Sequence, residues 1–164
     1  MTLFGKTLGE YARFARVGIA LILLVGLARF VVGVSGVPYE RATQLVSLTI
    51  TTFALAIVYG ARVAATRFGG YRQLLPTVAL LALAMYGFII TAILVEGLTG
   101  IRGYFHAPGH GLVPEAISVR DHVGGQLLAM LVSTGAFWVL AAVGFALWRF
   151  LSVLARRVPG RRPA

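Results

Sequence analysis

Leu75–Val95 reads LPTVALLALAMYGFIITAILV, twenty-one residues without a charged side chain. At 1.5 Å per residue, a helix of that length covers about 31 Å, enough to cross a hydrocarbon core of roughly 30 Å. Lipid offers no partner to exposed backbone N–H and C=O groups, so such a run takes the helical form, which bonds them internally. Three further apolar runs of similar length flank it: Val17–Gly36, Ala42–Ala61 and Gln126–Phe150. Arg29 is the one charge deep inside any of the four. A small soluble helical domain is the alternative, and a composition of 59% apolar and 12% charged residues argues against it.

The connecting segments fix an expected orientation, because cytoplasmic loops carry the excess of Lys and Arg. The N-terminal flank holds Lys6, Arg13 and Arg16. The loop between the second and third runs holds Arg62, Arg67 and Arg72. The C-terminal flank holds Arg149, Arg156, Arg157, Arg161 and Arg162. The first and third loops together hold only Arg41, Arg102 and Arg120, with the acids Glu40, Glu96, Glu115 and Asp121. Both termini and the middle loop are therefore expected to be cytoplasmic. The formal net charge of +10 follows from this alternation, so it does not call for nucleic acid as a partner. The expected partners are the lipid bilayer and other integral membrane subunits, or further copies of the chain.

The expected fold is an all-α integral membrane protein: one domain over residues 1–164, an antiparallel up-down bundle of four transmembrane helices. An outer loop spans residues 96–125 and a basic cytoplasmic tail residues 151–164. An interfacial amphipathic helix is expected over residues 3–16, where Phe4, Leu8, Tyr11 and Ala15 share one face and Lys6, Glu10 and Arg13 another. The first apolar run is too long for a signal-peptide core and carries Arg29, so it is expected to be retained. Abundant Arg, Ala and Gly beside a single Lys point to a GC-rich bacterial genome and hence to the bacterial cytoplasmic (inner) membrane.

Within the spans, Thr43, Ser47 and Thr51 form a hydroxyl row at four-residue spacing, with Thr49 and Thr52 nearby. Such residues either let helices approach closely or bond their own i−4 carbonyls. Pro76 is expected in the first turn of the third helix, and Gly97, Gly100 and Gly103 at its end. Gly124-Gly125 reads as a hinge ahead of the fourth span. Trp148 suits an interfacial aromatic belt, whereas Trp138 lies too deep for one.

Two features carry candidate chemistry. Arg29 sits about 10 Å inside the first span, where a charge is expensive. It can snorkel to the headgroups, pair with an internal acid (Glu96 is the best placed), or meet a partner subunit. The loop holds all three histidines: His106, His110 and His122, the last beside Asp121. Three imidazoles and a carboxylate are ligands for zinc or copper. Pro108-Gly109 breaks any helical register between the first two, and Pro114-Glu115 starts a short surface helix toward His122. The plain alternative is a solvated loop capping the bundle.

No phosphate loop, nucleophile elbow or mid-membrane acid is present. Cysteine is absent from the sequence, which excludes a thiolate site. Neither paired intramembrane histidines nor Cys-x-x-Cys occurs. The reading therefore leans away from an enzyme and toward a non-catalytic subunit or scaffold packing on partner membrane proteins or on itself. An alternative is an enzyme or carrier with a metal or cofactor site at the outer face, built from Glu96, Arg102, His106, His110, Asp121 and His122. A further alternative is a small oligomeric transporter or lipid-handling protein.

Overall fold

The structure, a computed structural model, describes residues 2–39, 41, 47–106 and 117–157. Four helices dominate it: α1 (Leu8–Val34), α2 (Leu48–Ala65), α3 (Tyr71–Thr99) and α4 (Val119–Arg157). All four are long and apolar enough to cross a membrane. At 39 residues, or roughly 58 Å, α4 extends well past the apolar run that predicted it. A short antiparallel hairpin, β1 (Thr2–Leu3) with β2 (Lys6–Thr7), precedes α1.

The hairpin corrects the expected helix over residues 3–16. Phe4 and Gly5 turn the chain with φ of 51° and 83°, the pair of positive values that a tight two-residue hairpin turn requires. Thr7 then caps α1. Its hydroxyl accepts the Glu10 amide (3.2 Å), while the Glu10 carboxylate accepts the Thr7 amide (2.7 Å). This reciprocal box satisfies two orphan donors and fixes the start of the helix at Leu8. From there α1 runs unbroken into the first apolar run, so there is no separate amphipathic helix.

The other helix ends differ from expectation in similar ways. Helix α2 begins at Leu48, with Ser47 as its cap accepting the Ile50 amide. Residues 42–46, including Thr43 of the expected hydroxyl row, lie outside the described residues. Thr51 and Thr52 donate to the carbonyls of Ser47 and Leu48, so these hydroxyls bond their own helix. Helix α3 starts at Tyr71, which leaves Pro76 inside the helix rather than in its first turn. Helix α4 passes straight through Gly124-Gly125, where a hinge was expected.

The core lies along the α1, α2, α3 and α4 seams, with Ile22, Ala56, Val63, Leu74, Val78, Leu81, Phe137 and Ala141 fully or almost fully buried. Between α2 and α4 the backbones touch: Gly60 sits on the Ala141 carbonyl and Gly144 on that of Ile57. Small residues permit this approach and bring the two helices into close dispersion contact. Tyr86 and Ser133 share a 2.7 Å hydrogen bond between α3 and α4. The Tyr59 hydroxyl donates to the Ala15 carbonyl (3.2 Å) and accepts from the Gly18 amide (2.8 Å). Gly18 gives the ring its room, since a Cβ there would collide with it. Around this bond Phe14 stacks on Phe68 at 4.0 Å, with Arg62 over the Phe14 ring.

Candidate functional site where the chain folds back after α3

The chain after α3 folds back over the helix ends, and a buried carboxylate directs it. Gly100, at φ 73°, ends α3 in the left-handed conformation that glycine adopts without a Cβ penalty. Glu96, one turn earlier, is only 3% exposed. Its carboxylate accepts the Phe105 amide (3.0 Å to one oxygen, 3.3 Å to the other) and the His106 amide (2.7 Å). Amide donors offset the desolvation that would otherwise make a buried carboxylate costly. Gly103 lies directly against that carboxylate, with no room for a side chain.

The residues held there pack in turn on α1 and α3. Phe105 lies between Phe30 (ring centroids 6.4 Å) and Phe88 (5.9 Å). The Tyr104 ring fills the space above Gly33, and its hydroxyl donates to the Val37 carbonyl. Tyr39 meets Tyr104 edge to face at 5.5 Å. The Arg29 guanidinium lies 5.3 Å from the Tyr39 ring centroid and 5.7 Å from that of Tyr104, so two aromatic faces receive its charge. Arg29 and Glu96 thus flank the same four-residue stretch, residues 103–106, from α1 and α3.

The structure brings two of the three histidines together. His106 packs on Gly97, and its Nδ1 lies 3.2 Å from Nδ1 of His122. The Gln126 side-chain nitrogen donates to Nε2 of His122 at 3.4 Å. His122 precedes the apolar run that begins at Gln126. Burial, and then the neighbouring His106, hold its imidazole below the ordinary histidine range.

Asp121 is turned elsewhere. The Ser118 hydroxyl donates to its carboxylate (2.7 Å) and accepts its amide (3.1 Å), which caps the start of α4. His110, Pro114 and Glu115 fall outside the described residues; of the short helix expected from there to His122, residues 117 and 118 are not helical and residues 119–122 belong to the start of α4. Among the described residues, no group of three or more His, Cys, Asp or Glu side chains is arranged to hold a metal.

Sequence reasoning singled out Arg29, Glu96 and the histidines because charges and imidazoles are rare here. It missed Tyr39, Tyr104 and the amides of Phe105 and His106, which have no sequence signature. Gln126 was legible in part, since it stands four residues after His122 on one helix face. Comparison with protein-family models, with curated proteins and with solved structures found no match for this chain.

Proposed function

We propose that the chain is a four-span protein of the bacterial cytoplasmic membrane, an antiparallel up-down bundle with both termini in the cytoplasm. Its role is that of a non-catalytic subunit or scaffold that packs on partner membrane proteins or on copies of itself. The observation that carries this reading is the use to which its polar groups are put. Glu96 cradles two backbone amides, Asp121 and Ser118 cap a helix, and the hydroxyls of α2 bond their own backbone. These are tasks of building a rigid bundle end rather than of handling a substrate. Membrane insertion is supported by apolar side chains that stay exposed on the helix surfaces, among them Leu24 and Leu27 on α1 and Leu128, Leu131 and Val132 on α4.

Native mass spectrometry of the protein, extracted from its own membrane in mild detergent, tests the role. The expected spectrum holds the chain in a complex with other integral subunits or with itself. A bare monomer under conditions that preserve known membrane complexes overturns the scaffold reading.

One observation favours a second reading, a metal site on the outer face. Two imidazole nitrogens on one tetrahedral zinc, each at about 2.0–2.1 Å, stand roughly 3.3 Å apart, and the His106–His122 separation is 3.2 Å. Zinc retained by the purified protein and lost on joint replacement of His106 and His110 by alanine supports this reading. Retention unchanged by that double replacement, or no zinc retention at all, removes the site.

A further inference from the structure

At the opposite end of the bundle a groove of about 410 Å³ opens between the C-terminal turn of α2, the turn that follows it, and the last turns of α4. Three arginines line it, Arg67, Arg149 and Arg156, and among the described residues no acid does. Its wall is aromatic: Phe145 is buried, and Trp148 is half-exposed. The Arg149 guanidinium lies 5.9 Å from the Phe145 ring centroid, so the ring backs the charge.

A second observation concerns how Arg67 arrives there. Helix α2 closes with the Phe68 amide donating to the Val63 carbonyl (3.1 Å) and the Arg67 amide to that of Ala64 (3.4 Å). This paired closure puts Arg67 in the left-handed region, at φ 54°. Glycine is the usual occupant of that position, because a Cβ is strained there. The strain is borne by a residue whose charge lines the groove, which is where strained backbone tends to collect in proteins.

We propose that this groove holds the phosphodiester headgroup of an anionic glycerophospholipid, with the three arginines around the phosphate and an acyl chain along Phe145 and Trp148. The inference rests on the four-span reading, which puts Trp148 and the end of the fourth apolar run at the cytoplasmic headgroup level. The charges favour an anionic lipid over a zwitterionic one, since among the described residues no carboxylate lines the groove to receive an amine. The aromatic wall favours a lipid over free phosphate, since Phe145 and Trp148 offer ring surface that phosphate cannot use. Basic pockets between spans on the cytoplasmic side commonly take such headgroups.

The test uses the full chain in dodecylmaltoside with phosphatidylglycerol, phosphatidylcholine or inorganic phosphate added. Brominated acyl chains report contact through quenching of the fluorescence component that Trp148→Phe removes. Phosphatidylglycerol is expected to quench it and phosphatidylcholine to do so only at much higher lipid content. The variants Arg149→Gln and Arg156→Gln should each weaken the effect about fivefold. Arg67→Gly should weaken it similarly while leaving the melting temperature unchanged or higher, because glycine relieves the strain. That combination separates a lost ligand from a lost fold.

Equal quenching by the two lipids, or an Arg67→Gly variant with undiminished preference, overturns the proposal. Displacement of the lipid by millimolar inorganic phosphate also overturns it, assigning the arginines to a free anion. Alkaline carbonate extraction of native membranes keeps the two readings apart. A chain released by carbonate sinks the four-span reading and the groove with it. A chain retained in the membrane but indifferent to lipid charge sinks the groove alone.

Discussion

Glu96 shows how one residue can serve two readings. In the sequence it is an acid at the edge of an apolar run, and so a natural partner for the buried charge of Arg29. In the structure its carboxylate receives the Phe105 and His106 amides, while Arg29 lies over the rings of Tyr39 and Tyr104. Glu96→Gln replaces one acceptor oxygen with an N–H donor that faces amide donors. The expected cost is about 1–3 kcal/mol, that of leaving a buried donor unsatisfied, read as a lowered melting temperature in detergent. Gly103→Ala should act in the same direction, because its Cβ would overlap the carboxylate. An unchanged melt for both variants would sink the claim that this cradle holds the loop. Both unusual residues were visible in the sequence. Their surroundings were not, because a backbone amide or a ring face acquires its role only when the chain folds back upon it.

At the scale of elements, the contact between α2 and α4 is the most demanding. Gly60 and Gly144 each rest on backbone of the opposite helix, which cannot rotate aside as a side chain can. Gly60→Ala should therefore cost about 1–3 kcal/mol through overpacking. Gly87 and Gly135 have nothing within 4 Å of where a Cβ would sit. Alanine at either should be neutral or stabilising by up to about 1 kcal/mol, the helix-propensity difference. Thermal unfolding of the three variants side by side checks the contrast, and similar losses at all three would show that propensity rather than contact governs them. The sequence shows twenty glycines and no means of ranking these three, since which glycine meets a neighbour depends on the rotation of each helix about its axis. Helix existence was legible from the apolar runs. Helix ends were less so: the box at Thr7 and Glu10, the cap at Ser118 and the extension of α4 through Gly124-Gly125 are short polar signals beside long apolar ones.

At the scale of the molecule, the expected topology has a direct check. The chain lacks cysteine, so single cysteines can be introduced one at a time without a background to remove. In intact cells, a membrane-impermeant thiol reagent is expected to label Ser35→Cys and Ile101→Cys, and to label Thr2→Cys and Thr66→Cys only after permeabilisation. The reverse pattern, or labelling at all four sites, defeats the assigned orientation. The sequence by itself determined that the chain forms four long apolar helices with basic residues gathered at alternate ends, because hydropathy and charge are carried residue by residue and need no partner to be read. Only the tertiary structure decided which polar groups meet: Glu96 with two backbone amides, His106 with His122, Arg29 with two tyrosine rings, and three arginines around one groove. Those pairings join residues far apart along the chain, and the packing of helices, not the order of residues, sets the distance between them.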